Sequence, residues 1–227
     1  MIRSGSTFSF NVARELLLRS GSVVTAFANS FAELPLEANS HSILKSHAPD
    51  TGVTDQVKDG TLACICTIRK PEDAILSFMQ AFGFSLEHSI SDVKAWLVWY
   101  SSVFNRVLTI EYDAIDASPR SVISRVDEFL TGDTCDERSY DLAEKYSKSA
   151  LKAKLDRLEQ NSNTIDLGFT YYERDTFFHR RHISSITSQP ASSTLSAAEI
   201  GCIRTELKAF IDTQGNIKQT FVEPLGG

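Results

Sequence analysis

A chain of 227 residues, 42% of them hydrophobic and with only 11 Gly and 6 Pro, is long enough to bury one full core and has the composition of a globular α/β domain. Its net charge of −6 and pI near 5.4 argue against nucleic acid as the main partner and confine any polyanion site to a local basic pocket. No run approaches the ~18–20 apolar residues of a bilayer span, and no hydrophobic signal region opens the chain, so a membrane role is not expected. Cys64, Cys66, Cys135 and Cys202 lack CxxC spacing and read as reduced, buried thiols of a cytoplasmic protein. The pattern carries no signal of oligomeric state.

The chain opens on Arg3-Ser4-Gly5-Ser6-Thr7-Phe8-Ser9-Phe10-Asn11, a cationic Gly/Ser/Thr turn leading into an apolar-periodic segment. Gly5 permits a tight turn in which successive N–H groups converge on an anion, and Ser6 and Thr7 add hydroxyls at a helix N-terminus. Phe8, Val12 and Leu16 recur at i, i+4 and i+8 as the buried stripe of that helix. No Gly-Lys-[Ser/Thr] closes the loop, so it is not a Walker A sequence, and Arg3 brings its cation from the other side of the turn. Taken alone, such a turn is more often a plain helix cap than a ligand site. A phosphate loop of this kind normally follows a buried strand, and only Met1 and Ile2 precede it here. Either the chain is truncated, most simply by a misplaced start codon that would also hide an upstream targeting signal, or another segment fills that place.

After a break at Gly21, Val23–Phe27 is expected as a strand and residues 28–40 as irregular. Ser42-Ile43-Leu44-Lys45-Ser46-His47 is strand-like and ends at the turn Ala48-Pro49-Asp50. That places Lys45 and His47 at a strand's carboxyl end, where open α/β sheets gather ligands. Thr61–Ile68 is a nearly continuous apolar run of the parallel-sheet kind, ended by Arg69. Pro71 starts a helix with Ala74, Ile75, Phe78, Met79 and Phe82 on one face and Ser77 off it. Two helical turns, roughly 11–12 Å, separate Arg69 from Ser77, a gap that an extended Arg and a phosphate can bridge.

Ile90, Val93, Leu97, Tyr100 and Phe104 have helical spacing, so Trp96 and Trp99 are expected in the core. Arg106–Tyr112 is the next buried strand. Ser118-Pro119 caps a helix that Gly132 stops, and Ser139 to about Gln160 reads as one long solvent-facing helix with i, i+4 pairs. Residues 161–178 are aromatic and irregular, and lead to His179-Arg180-Arg181-His182, read either as phosphate-gripping cations or as a surface basic turn. Ser184–Ser196 has linker composition and suits a mobile lid. Ser196-x-x-Glu199 is a capping box opening a last helix with Ile200, Ile203, Leu207, Phe210 and Ile211 on one face, and the tail after Gly215 is expected to be loose. No cluster has metal-ligand spacing.

Arg3-Ser4-Gly5-Ser6-Thr7-Phe8 resembles the 5′-phosphosulfate loop of the sulfotransferases that use 3′-phosphoadenosine 5′-phosphosulfate (PAPS), Pro-[Lys/Arg]-Ser-Gly-[Thr/Ser]-Thr plus a bulky residue, with Ile2 in place of the proline. Lys45-Ser46-His47 resembles that family's Lys-Thr-His segment, and Arg69 with Ser77 its Arg-x-Pro-x-Asp-x-x-x-Ser-[Tyr/Phe] element. Glu111-Tyr112-Asp113 resembles its Arg-Tyr-Glu-Asp-Leu segment, with Glu where Arg is usual, whereas the Arg-Lys-Gly signature is absent. The resemblance spans Arg3 to about Asp113 and is weak beyond.

The resemblance implies a P-loop NTPase-like sulfotransferase fold, a three-layer α/β sandwich with a central, mainly parallel sheet, its first strand missing or truncated. One domain covers 1–227, with a nucleotide-binding core at 1–115 and a helical C-terminal part at 116–227. It further implies transfer of a sulfuryl group from PAPS to a hydroxyl or amine of a small-molecule acceptor, leaving 3′-phosphoadenosine 5′-phosphate (PAP). Ser4, Gly5, Ser6 and Thr7 would hold the 5′-phosphosulfate, Arg3 and Lys45 would stabilise leaving-group charge, and Phe8 would lie by the adenine. Arg69 and Ser77, with Arg180 and Arg181, would grip the 3′-phosphate. His47 would be the general base, an imidazole having a suitable pKa near neutral pH. The alternatives are a nucleotide kinase or NTPase, against which the missing Walker lysine and Mg²⁺ carboxylates count, and a nucleotide-binding protein without activity.

Overall fold

The computed structural model describes residues 1–34, 40–158, 163–166, 171–179 and 190–218. Helix α1 (Ser6–Leu17) starts after Gly5 and buries Phe8, Val12 and Leu16, the expected stripe. Strand β1 (Ser22–Phe27) pairs in parallel with β2 (Ser40–Lys45), in register from Ser22↔Ser40 to Phe27↔Lys45. Between them the described part of the connection holds a short 3₁₀ turn, Phe31–Glu33.

The Ala48-Pro49-Asp50 turn also starts a helix, α2 (Thr51–Asp59). Asp50 Oδ1 accepts from Val53 N at 2.8 Å as its N-cap, and Gly60 ends it. Strand β3 (Ile65–Ile68) is shorter than the apolar run from Thr61, because Thr61 is spent in the turn off α2, bonded to Asp59 and to Gln56 O. It pairs in parallel with β4 (Leu108–Glu111). Helices α3 (Pro71–Phe82) and α4 (Leu86–Ser101), the latter capped by Ser85, connect the two strands.

Beyond β4 come α5 (Tyr112–Ala117) and α6 (Pro119–Thr131). The single helix expected over 139–160 is two, α7 (Asp136–Lys145) and α8 (Lys148–Asp156). The break lies at Tyr146 and Ser147: Tyr146 is buried with its hydroxyl donating to Glu15 Oε1 (3.2 Å), and Ser147 caps the second helix. The stretch expected to be irregular contains an antiparallel pair, β5 (Thr164–Asp166) and β6 (Tyr171–Glu173). The capping box at Ser196 and Glu199 opens α9 (Ala197–Leu207), and Phe210 and Ile211 pack beyond its end.

The α/β class holds, with small parallel sheets flanked by helices, but among the described residues β1–β2 and β3–β4 are separate two-stranded pairs rather than one sheet. Beside β3 runs the turn Met1–Ser4. The Met1 amino group donates to Thr67 O (2.8 Å), and the Ser4 hydroxyl meets both Thr67 O (2.9 Å) and Thr67 Oγ1 (2.7 Å), so the edge of β3 is met by a turn instead of a ladder.

One core cluster joins β3 to α3, α4 and α9 through Ile68, Ile75, Leu97, Tyr100 and Leu207; the other joins α1 to β4, α6, α7 and α8 through Val12, Ile110, Val126, Leu142 and Leu155. Trp96 stacks on Tyr100 in the first, and Trp99 is half-buried, its indole N–H on Thr54 Oγ1. The cysteines are free thiols as expected, though only Cys66 is buried, and Cys202 is exposed. No described helix is long and apolar enough to cross a membrane.

Candidate active site

The parallel strands β1 to β4 end at one cavity of about 1030 Å³: Phe27 closes β1, Lys45 closes β2, Arg69 follows β3 and Tyr112 follows β4, and each lines it. Arg3, Gly5, Ser6, Thr7, Phe8, His47 and Ser77 line the same cavity. The three sequence elements, about forty and twenty residues apart, thus converge on one space. Ser4 is the exception, its side chain turned into the β3 contact and fully buried. Arg180 and Arg181 lie outside the described residues.

The turn over residues 3–7, the candidate anion cradle, is strained. Arg3 has φ 58° and Gly5 φ 89°, both left-handed, and a Cβ on Gly5 would meet Ile115 Cδ1 at 2.7 Å and Tyr112 Cδ2 at 3.3 Å. Glycine is therefore needed at position 5 for conformation and for space. Among the described residues no side chain caps α1, and its N-terminal end faces the cavity with its partial positive charge.

The cations gather around this turn. Lys45 is buried, and its Nζ donates to Thr7 Oγ1 at 2.6 Å under the rings of Phe27 (5.4 Å) and Phe177 (5.9 Å). Neither Lys45 nor Arg69 takes part in an ion pair among the described residues. Burial pulls the Lys45 ammonium down to about 7. Arg69 lies over the Tyr112 ring at 4.4 Å and reaches Arg3 O at 3.4 Å. Burial also lowers the Arg3 pKa, a shift that Tyr112 opposes and the Arg69 charge adds to. Asp73, Asp116 and Glu144 line the same cavity, Asp116 paired with Lys148, but Lys45 and Arg69 have no ion-pair partner among the described residues, and such cations make a place that an anion stabilises.

Arg3 Nε donates to Ser77 Oγ at 3.1 Å, so Ser77 is engaged rather than free. A serine hydroxyl that accepts one bond still has its own proton to give, and Ser77 can hold Arg3 and donate to a ligand oxygen at once.

His47 departs from the expectation of an ordinary imidazole pKa. Burial first, then the charges of Lys45 and of the terminal amino group, push it down to about 3. The ring keeps part of its surface on the cavity, stands edge-on to Phe27 at 5.3 Å, and leaves Nδ1 without a hydrogen-bond partner among the described residues. Phe8 is 7% exposed and edge-on to Tyr146 at 6.3 Å, so it is a core residue that reaches the cavity wall.

Sequence reasoning missed the aromatic lining. Tyr112 backs both Gly5 and Arg69, and Phe27, Tyr172 and Phe177 surround the Lys45 end. Of these only Tyr112 stood in a motif. Beyond Tyr112 the wall continues with Asp116 and Lys148, which pair with each other.

No protein-family model matches the chain, and no curated protein sequence does. Among solved structures, mouse sulfotransferase SULT7A1 complexed with PAP is similar with a TM-score of 0.58 and 14% sequence identity, over 94% of this chain and 83% of that one. The fold of this chain is therefore that of a sulfotransferase.

Proposed function

We propose that the chain binds PAPS and transfers its sulfuryl group to a hydroxyl or amine of a small-molecule acceptor. The observation that carries this reading is the buried ammonium of Lys45, without a carboxylate partner among the described residues, in a cavity shared with Arg3 and Arg69. Buried charge is costly unless neutralised, and the group that neutralises this one is an anion from outside. The fit is local too: the uncapped start of α1 and the close approach allowed at Gly5 suit a phosphate oxygen. A fold shared with a PAP-bound sulfotransferase supports the same donor.

When bound, PAPS supplies the sulfuryl group and departs as PAP. The chain's own residues position and neutralise. Ser6, Thr7 and the first amides of α1 hold the 5′ end, Lys45 and Arg3 offset the charge released there, and Arg69 with Ser77 holds the 3′-phosphate. Arg180 and Arg181 would add cations to that end, and the wall from Phe8 to Tyr112 would receive the base. His47, neutral in the free protein, takes the acceptor's proton as its oxygen or nitrogen attacks sulfur. An anion beside Lys45 offsets one of the charges that depress His47, so the site gains basicity once loaded. Residues 1–115 would form the nucleotide core and 116–227 its cover in one domain, in the cytoplasm where the free thiols stay reduced.

Calorimetric titration with PAP and with AMP, without Mg²⁺, tests the reading. Wild type should prefer PAP, and Arg69→Ala should lose that preference. Equal affinities in the wild type, or no binding of either, would overturn it, and an Mg²⁺ requirement would point to a kinase.

A further inference from the structure

The turn Glu173–Phe178 belongs to none of the sequence motifs, yet the fold ties it to the cradle. Asn11, fully buried on α1, donates from Nδ2 to Thr7 O (2.7 Å) and to Thr176 O (2.9 Å). The next residue, Phe177, has φ 53°, a left-handed backbone that a bulky aromatic rarely adopts. Bonds on both sides impose it: Phe177 N donates to Glu173 O and Glu173 N to Phe178 O, each at 2.9 Å. The Glu173 carboxylate is in turn held by Lys154 and the Thr176 hydroxyl.

What this turn presents is a ring. Phe177 is 8% exposed, packs on Phe10 (5.0 Å), Tyr172 (5.9 Å) and Phe27 (6.0 Å), and lies 5.9 Å from Lys45 Nζ. Lys45 donates to Thr7, and the Thr7 carbonyl accepts from Asn11. The contacts form a closed circuit, from Thr7 through Asn11, Thr176, Phe177 and Lys45 back to Thr7.

We propose that Phe177 is a positioning residue for Lys45: its ring, presented by the turn that Asn11 ties to α1, keeps water from the ammonium and holds it against the phosphate cradle. A ring face attracts a cation while its bulk excludes solvent, so one side chain both retains the charge and leaves it in need of an anion. The other titratable groups around Lys45 are His47 on the same strand end, the Met1 amino group and Arg3 of the cradle, with the Tyr172 phenol behind Phe177. What Lys45 then binds rests on the donor reading above; the positioning belongs to the unliganded chain.

The test is an NMR titration of the lysine side-chain Cε signals, with Lys45 assigned from Lys45→Met. Wild-type Lys45 should titrate near the value of about 7 that burial imposes. Phe177→Gly suits the backbone but admits water, and should raise the midpoint by about one pH unit or more. Phe177→Leu keeps the seal but removes the ring face, and should lower it. Midpoints equal to wild type in variants with an intact near-UV spectrum would overturn the proposal. Should Phe177→Gly fail to fold, Phe177→Leu decides alone by a lowered or an unchanged midpoint. PAP calorimetry separates the two ideas: no PAP binding with shifted midpoints sinks the donor reading only, and PAP binding with unshifted midpoints sinks the positioning role only.

Discussion

Lys45 Nζ donates to Thr7 Oγ1 at 2.6 Å, joining the end of β2 to the first turn of α1 across thirty-eight residues of sequence. A charged donor thus meets a neutral acceptor in a buried place, and its compensation is incomplete without an anion.

Lys45→Met should therefore stabilise the free protein at pH 6, by about 1–3 kcal/mol. The folded pKa of about 7 lies below the ordinary 10.5. Between those values the unfolded chain holds more protons, so wild-type stability gains from this group as pH rises through that window. Urea denaturation at pH 6 and 9 should show the variant's advantage shrinking at the higher pH. The same variant should lose about tenfold or more in PAP affinity, since a charge-assisted contact is removed.

Gly5→Ala should destabilise the fold by about 1–3 kcal/mol, because it combines a left-handed backbone at φ 89° with a clash on Ile115. Ile115→Ala on that background should recover part of the loss by making room for the new methyl, leaving the backbone cost. Thermal denaturation of the two variants separates the contributions; no recovery would show that the clash is relieved by other means.

His47 should stay neutral across about pH 5 to 8, with flat imidazole NMR shifts, because its folded pKa is pushed down to about 3 from 6.5. Between those two values the unfolded chain binds the extra proton, so this group's contribution to stability is present above the upper value and is lost as pH falls toward the lower one. PAP should raise the His47 midpoint by bringing negative charge beside it, and Lys45→Met should raise it in the free protein by removing one of the charges that depress it. A His47 signal that titrates near its ordinary value in the free protein would contradict the burial argument.

Ser77→Ala should weaken PAP more than AMP, by up to about tenfold, since the hydroxyl proposed to bond the 3′-phosphate is removed and Arg3 loses its acceptor. An equal loss for both nucleotides in calorimetry would place Ser77 away from the 3′-phosphate.

The candidate site was legible where chemistry is local. Arg3 to Thr7, Lys45 with His47, and Arg69 with Ser77 each form a short pattern whose spacing carries the meaning, and the fold brings all three to one cavity. Helix α2 was missed because Asp50 serves both a turn and a cap, and the break at Tyr146 was missed because its cause, Glu15, lies on α1. The aromatic wall was invisible for the same reason: Phe27, Tyr172 and Phe177 are ordinary apolar residues until packing sets them around Lys45.

The sequence by itself determined the α/β class, the cradle and the identity of the cations, since glycine placement, strand patterning and charged side chains act over a few residues. The tertiary structure alone decided their electrical state. Burial lowers Lys45, and burial beside Lys45 lowers His47. Desolvation depends on every atom packed around a group, and those atoms come from β1, α1 and the turn after β6, segments that no sequence spacing relates to Lys45.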